Sequence, residues 1–257
     1  MTQYYSIINA IGAILLLIYN LLQFKKKREF LSTPSHAAIG YFNGKDNVVA
    51  KILAKPGFWT IIEICVISCL QYICVGFLNT QTARIFNTGA NYFGIIYYAP
   101  LIVFVFCMLV KINPLKQLDL ITPAYPLALT VVKISCQVTG CCRGVKWIYG
   151  LYNPSSNQIE FPAPLLEAAV ALLLFVFLHC FRKKFKKGTM FPIYLTAYSG
   201  IRFFTEFLRC EPNILWGLKA YHFFCIVGVV LGVIEYWAVC KYGTWIEQKA
   251  ERKIPQE

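Results

Sequence analysis

Charged residues are scarce in this chain of 257 residues. They make up 14% of the sequence, against about 25% in an average soluble domain, whereas hydrophobic residues account for 58%. This shortage of charge argues against a water-soluble fold, a disordered chain and a collagen-like fibre. The composition instead predicts an integral membrane protein whose apolar side chains face lipid.

Acidic residues are the scarcer kind of charge. The chain has 12 Asp and Glu against 25 Lys and Arg, which gives a net charge of +13. Such an excess can indicate nucleic-acid binding, but in a membrane protein it more often marks cytoplasmic loops and contacts with anionic lipid. The positions of the basic residues decide between these interpretations.

Three further patterns are absent. None of the 11 cysteines forms a C-x-x-C pair, so we expect no disulfide framework, no metal site and no cofactor. No internal repeat is visible, which disfavours an inverted-repeat transporter. No basic region precedes the first apolar segment, which is therefore predicted to be a membrane span rather than a cleaved signal peptide.

Seven segments have the length and hydropathy of membrane-spanning helices, which need about 20 mostly apolar residues. The five strong candidates are residues 4–24, 58–78, 92–110, 162–181 and 215–239. The two weaker ones are residues 118–138, which contain Pro123 and Pro126, and residues 190–208, which contain Arg202 and Glu206. The predicted fold is an all-α membrane protein with seven transmembrane helices.

The basic residues predict the orientation of these spans. With the N-terminus outside, 18 of the 25 basic residues lie in cytoplasmic loops and the C-terminal tail, and 5 lie outside. Lys133 and Arg202 fall within spans. This bias follows the positive-inside rule, so the basic charge indicates topology and no nucleic-acid partner is expected.

We expect residues 1–257 to form a single polytopic membrane domain. Residues 30–57 are predicted to be a cytoplasmic loop with an interfacial helix. Residues 140–161 are rich in Gly, Asn, Ser and aromatic residues, which predicts a small ordered lid on the outer face.

The sixth span carries the clearest intramembrane charges, which are costly and usually functional. Arg202 and Glu206 are four residues apart and project from one helix face, with Tyr198 one turn earlier. They form either an internal ion pair or a phosphate-binding arginine positioned by its carboxylate. Arg209 lies just beyond, near the outer headgroup level.

Three other ionisable residues are candidates for the same site. Lys133 in the fourth span needs a carboxylate or phosphate partner. Glu167 is either a carboxylate favoured at a helix start or a site residue. His222 is either a hydrogen-bonded structural histidine or a base.

The adjacent pair Cys141 and Cys142 has three interpretations. The two residues pack as small side chains at a tight turn, or they provide a reactive thiol beside the cations Arg143 and Lys146, or they form a vicinal disulfide or metal site.

Three segments together resemble the prolipoprotein diacylglyceryl transferase family: LDLITPAYPLALTVVKISCQVTGCCRG, FPAPLLEAAVALLLFVFL and YLTAYSGIRFFTEFLRCEP. The similarity covers about residues 89–239. Its most specific block is the family pattern Tyr-Gly-x-x-Arg-Phe-x-x-Glu-Phe-x-Arg, which is retained as Tyr198, Arg202, Phe203, Glu206, Phe207 and Arg209, with Ser199 before Gly200.

The resemblance implies transfer of the diacylglyceryl group of phosphatidylglycerol to the lipobox cysteine of a prelipoprotein, with release of glycerol-1-phosphate. It also implies a multi-pass enzyme of the bacterial inner membrane that needs no cofactor, and we expect a monomer. Arg202, Glu206, Tyr198 and Arg143 would be catalytic. The substrate-binding residues would be Lys133, Glu167, Cys141, Arg209 and His222.

The chain departs from the family pattern at several positions. Lys133 replaces an arginine and Cys141 replaces an acidic residue in the family's Gly-Arg-x-Gly-Asn-Phe-x-Asn-Gly-Glu signature, and both asparagines are lost. Phe93 stands where the family has histidine. Two alternatives therefore remain beside the transferase: a family member with a different acceptor, and a non-catalytic lipid-binding membrane protein. Tyr198, His222 and Cys141 are all candidate bases.

Overall fold

A computed structural model of the protein describes residues 2–25, 33–56, 58–59, 61–63, 65–66, 73–74, 77–78, 80–81, 92–109 and 112–251. About half of the second predicted span lies outside the described residues, as does most of the basic run after the first span. In chain order the helices are α1 (Thr2–Lys25), α2 (Thr33–Phe42), α3 (Val48–Leu53), α4 (Tyr92–Leu109), α5 (Pro114–Ile121), α6 (Ala124–Thr139), α7 (Ala163–Phe181), α8 (Met190–Glu206) and α9 (Ala220–Glu251). The strands are β1 (Lys146–Asn153), β2 (Gln158–Glu160), β3 (Asn213–Leu215) and β4 (Leu218–Lys219).

The described part of the chain is mostly helical, as the composition predicts. Four of its helical stretches are long and apolar enough to cross a membrane, namely Tyr92–Leu109, Pro114–Thr139, Ala163–Phe181 and Ala220–Ile246. Each overlaps one predicted span. Helix α1 covers the first predicted span, and α8 covers the sixth with 17 residues.

The fourth predicted span is divided by its prolines. Helix α5 ends at Ile121 and α6 begins at Ala124, with Pro123 between them. Proline has no N–H to donate and clashes with the preceding turn, so a helix breaks before it. Pro126 lies in the first turn of α6, where no backbone donor is needed, and is tolerated there.

The last predicted span begins later than expected. Residues 213–219 form the hairpin β3–β4 instead of helix, and α9 begins at Ala220 rather than at residue 215. The two turn residues, Trp216 and Gly217, have φ angles of 50° and 75°. Two successive positive φ angles are typical of a type I′ hairpin turn, which apolar periodicity alone does not reveal.

The chain divides into two compact units. One contains residues 1–16 and 122–237, and the other contains residues 17–121 and 238–257. In the first unit α6 packs along α7, and α7 packs against α8; in the second, α4 packs against α5. Ala168 and Ala171 are buried on α7, and such small side chains let membrane helices approach closely.

Residues 140–161, predicted to be an ordered loop, fold around the antiparallel hairpin β1–β2. The segment before the hairpin pairs with the chain after α8. The Val145 N–H donates to the Leu208 carbonyl at 3.0 Å, and the Cys210 N–H donates to the Arg143 carbonyl at 3.0 Å. These bonds fix the hairpin against the end of α8.

Two glycines allow this close packing. Gly140 ends α6 with a φ of 70°, the left-handed conformation that glycine adopts without strain. Gly144 lies against the next part of the loop, and a Cβ atom there would be 2.0 Å from the Phe161 carbonyl oxygen.

Replacing Gly144 by alanine should therefore destabilise the protein. We expect a loss of about 1–3 kcal/mol, because the backbone oxygen of Phe161 cannot move without breaking the loop pairing. Thermal unfolding in detergent measures the loss as a lower midpoint. The matched control is Gly40→Ala at an exposed position of helix α2, where a Cβ meets nothing within 4 Å; it should raise the midpoint slightly. A Gly144→Ala midpoint at or above that of the parent protein would contradict this packing.

Candidate active site

Five buried ionisable side chains form a cluster where α6, α7 and α8 meet. Lys133 comes from α6, Glu167 from α7, Arg202 and Glu206 from α8, and Arg209 from the chain just after α8. Each is at most 8% exposed. The sequence predicted all five as site residues, and the structure brings them together. We call them the ionic cluster.

Glu167 is the centre of the ionic cluster. Its Oε2 atom is 2.6 Å from Lys133 Nζ, and its Oε1 atom is 3.0 Å from Arg209 Nε and 3.4 Å from Arg202 Nη1. Arg202 also forms an ion pair through Nη2 with Glu206 Oε2. One carboxylate therefore contacts cations from three separate parts of the chain.

Helical periodicity explains why these side chains point inwards. On α7 the buried residues Pro164, Glu167, Ala168 and Ala171 recur at spacings of three and four, so Glu167 lies in the apolar stripe that packs against the neighbouring helices. On α8 the buried stripe includes Tyr194 and Tyr198, and it continues one and two turns later as Arg202 and Glu206.

The ionic cluster is not electrically balanced. Lys133, Arg202 and Arg209 supply three positive charges, whereas Glu167 and Glu206 supply two negative charges. A buried charge without a counter-charge is expensive. Two of the three cations are guanidinium groups, which match the oxygen geometry of phosphate. The cluster is therefore suited to one additional anion of phosphate type.

Lys219 supports the same end of α8, and the sequence did not identify it as a site residue. Its Nζ donates to the backbone carbonyls of Glu206 at 2.7 Å, of Phe207 at 3.4 Å and of Arg209. A cation at a helix C-terminus satisfies orphan carbonyls and the helix dipole. The β3–β4 turn places Lys219 at the end of α8, and no pattern in the sequence predicts this contact.

His222 lies beside the ionic cluster, and the contacts of its ring are those of a structural histidine. Its Nδ1 atom accepts a hydrogen bond from the Lys219 N–H at 3.0 Å. Its ring packs against Phe203 and Phe207, with centroid distances of 4.9 and 4.4 Å. The imidazole is fully buried, and Nε2 has no hydrogen-bond partner among the described residues. Its predicted role in substrate binding stays a prediction.

Tyr198 is buried one turn before Arg202 and stacks on Tyr194 with a centroid distance of 6.0 Å. It shares the helix face of Arg202 and Glu206, as the sequence spacing predicts. This position places its phenol next to the ionic cluster.

Arg143 has its own carboxylate partner. Its Nε and Nη2 atoms both donate to Glu160 Oε1 at 3.0 Å, and Asn153 Nδ2 donates to Glu160 Oε2 at 2.9 Å. Burial alone would raise the pKa of Glu160, but these hydrogen bonds and the charge of Arg143 hold it below its ordinary value. Glu160 was missed from the sequence, because the hairpin register that places it beside Arg143 is not apparent there.

Cys142, rather than Cys141, lies near the cations of the ionic cluster. A hydrogen bond with the Cys136 thiol lowers the pKa of Cys142; burial opposes this shift, and the charges of Arg209 and Lys133 assist it. Cys141 is exposed beside it, with the two sulfur atoms 3.8 Å apart.

Replacing Glu167 by glutamine keeps the side-chain shape but removes the charge that balances Lys133, Arg202 and Arg209. We expect the free energy of unfolding to fall by about 3–5 kcal/mol, as when one partner of a buried ion pair is lost. Thermal unfolding in detergent checks this. Glu211→Gln makes the same chemical change at an exposed position and should stay within about 0.5 kcal/mol of the parent protein. Equal midpoints for both variants would refute the central role of Glu167.

Comparison with known proteins gives one family and several relatives. The family model described as prolipoprotein diacylglyceryl transferase matches residues 2–238, so the match includes the N-terminal third that the sequence motifs left out.

Relatives named phosphatidylglycerol–prolipoprotein diacylglyceryl transferase include proteins from Clostridium tetani, with 27% identity, and Chlorobaculum tepidum, with 30% identity. These alignments cover 62% and 70% of this chain, and 67% and 63% of the relatives. A third relative, from Clostridium perfringens and named phosphatidylglycerol–prolipoprotein diacylglyceryl transferase 2, is 32% identical over 51% of this chain and 54% of its own length. The aligned region thus spans between half and two thirds of the length of these curated relatives, and the chain belongs to the prolipoprotein diacylglyceryl transferase family.

Proposed function

We propose that this protein transfers the diacylglyceryl group of phosphatidylglycerol to the lipobox cysteine thiol of a prelipoprotein. Membership of the family supports this reaction. The observation that carries it is the ionic cluster, in which three buried cations face two carboxylates. The phosphodiester of phosphatidylglycerol brings one negative charge, which balances the cluster.

The reaction breaks one bond and forms another at a glycerol carbon. The thiolate of the acceptor attacks this carbon and forms a C–S thioether bond, while the C–O bond to phosphate breaks and its electron pair leaves with glycerol-1-phosphate. Charge on the phosphate group grows in the transition state. Guanidinium donors fixed in advance stabilise such charge without reorganisation.

Each member of the cluster has a distinct role in this proposal. Arg202 and Arg209 bind the phosphate oxygens, and Glu206 orients Arg202. Glu167 holds both guanidinium groups in place and is a positioning residue. Lys133 supplies a point charge in place of a planar donor.

The thiol proton of the acceptor must also be removed, because the thiolate is the nucleophile. Tyr198 is one candidate base, and it shares the buried face of Arg202. His222 and Cys141 remain alternative bases. Arg143 with Glu160 forms a second charged pair that can contact the acceptor peptide from the hairpin side.

We further propose that the whole chain is one polytopic domain of the bacterial inner membrane, with seven spans and an external N-terminus. Four helices among the described residues are apolar enough to span, and the distribution of basic residues supports the orientation. This topology makes the ionic cluster accessible from the outer leaflet. A monomer suffices, because all five cluster residues come from one chain.

Arg202 tests the catalytic proposal. Purified protein is given labelled phosphatidylglycerol and a lipobox peptide, and the thioether product is measured by mass spectrometry. Arg202→Lys keeps the charge but loses the planar pair of donors, so we expect kcat to fall by about 100–1,000-fold. Arg182→Lys, the same change in the segment after α7, should leave the rate unchanged.

The same assay separates the alternatives. A parent protein that binds phosphatidylglycerol vesicles but yields no thioether with any lipobox peptide would contradict the transferase in favour of a lipid-binding protein. Product formed only with another thiol acceptor would contradict the prelipoprotein assignment. Thermal unfolding of Arg202→Lys establishes that the variant is folded.

Single cysteines test the orientation. Tyr149 is 90% exposed at the β1–β2 hairpin, and Lys186 is exposed in the segment between α7 and α8. In intact spheroplasts a membrane-impermeant maleimide should label Tyr149→Cys above the level of the parent protein. It should label Lys186→Cys above the parent level only after permeabilisation. The opposite pattern would overturn the external N-terminus.

A further inference from the structure

Three cysteine side chains meet at the end of α6. The sulfur atoms of Cys136, Cys141 and Cys142 all lie within 4.8 Å of one another, and those of Cys141 and Cys142 are 3.8 Å apart. We propose that these three thiolates bind a zinc ion. This site goes beyond the proposed transferase activity and does not depend on it. We call it the thiol cluster.

The sulfur separations fit zinc coordination. Zinc binds thiolate sulfur at about 2.3 Å, so two sulfur ligands at tetrahedral angles are about 3.8 Å apart. The sulfur atoms of Cys141 and Cys142 have this separation, and the distances to Cys136 need at most a small side-chain adjustment. Zinc prefers soft thiolate ligands of this kind.

The backbone holds the three residues in this arrangement. Gly140 takes the left-handed conformation, so the chain turns back over the last turn of α6. The N–H groups of Gly140 and Cys141 both donate to the Cys136 carbonyl, at 2.9 and 3.3 Å. Asn153 in β1 contacts the Gly140 carbonyl through Nδ2 at 3.4 Å, which anchors the turn to the hairpin.

The surroundings favour an anionic metal complex. Three thiolates with one zinc ion carry a net negative charge, and Arg209 and Lys133 act on Cys142 as positive charges. A small cavity lined by Cys136, Cys142 and Gln137 has room for about one water molecule. Water is the usual fourth ligand where a protein supplies three.

This proposal revises the expectation of no metal site. That expectation rested on the absence of C-x-x-C pairs, the spacing typical of zinc sites. Here four residues separate Cys136 from Cys141, and the left-handed turn at Gly140 brings them together.

The test measures zinc binding by the reduced full-length protein in detergent. After treatment with a chelator, the protein is dialysed against Zn²⁺ and its metal content is measured; Cd²⁺ is then used as a spectroscopic probe through its thiolate charge-transfer absorption. We expect one ion per chain. Cys141→Ser, at an exposed position, should weaken binding by at least about 10–100-fold, since even loss of a group that supports a ligand has this effect.

The matched control is Cys210→Ser. Cys210 is also an exposed free cysteine, and it is not part of the thiol cluster. The Cys210→Ser variant should bind zinc as the parent protein does. Two results would overturn the proposal: a reduced parent protein that binds no Zn²⁺ or Cd²⁺ at one equivalent, or a Cys141→Ser variant that binds as tightly as Cys210→Ser. Both readouts are independent of transferase activity, so the failure of one proposal does not imply the failure of the other.

Discussion

The buried carboxylate of Glu167 is the group on which the candidate site depends. It lies on the packed face of α7 and contacts cations from α6, from α8 and from the chain after α8. None of these cations could remain buried without a counter-charge, because removing an ion from water costs several kcal/mol. The packing of the three helices and the neutralisation of charge are therefore a single constraint. Any change that moves α7 also moves the donors that would face a substrate.

This constraint also bears on the proposal that a site built from ion pairs binds an anion. A fully balanced cluster would only contribute to structure, which is one of the two interpretations that the sequence left open for Arg202 and Glu206. The addition of Lys133 and Arg209 changes the balance, because Glu167 is shared among three cations. An anion that entered the cluster would meet donors that are already ordered, so little reorganisation would be needed.

Local spacing predicted the parts of the site that lie within one helix. Arg202 and Glu206 form an i,i+4 pair on α8, as expected from their separation. Contacts made through turns could not be predicted in this way. Glu160 reaches Arg143 through the register of β1 and β2, and Lys219 reaches the end of α8 through the turn at Trp216 and Gly217. Positive φ angles set that turn, and hydrophobic periodicity contains no information about them. The same limit explains why the last predicted span began five residues too early.

The basic residues of this protein obey two different physical rules. Most of them lie in the predicted loops, and their distribution between the two sides of the membrane is the basis of the predicted topology. Lys133, Arg202 and Arg209 are buried, so they require partners within the fold, and Glu167 supplies them. Net charge alone does not separate the two groups. Burial separates them, because only a desolvated cation binds a phosphate or thiolate strongly enough to determine chemistry. The proposed function therefore depends on the few positive charges that the topology rule leaves unexplained.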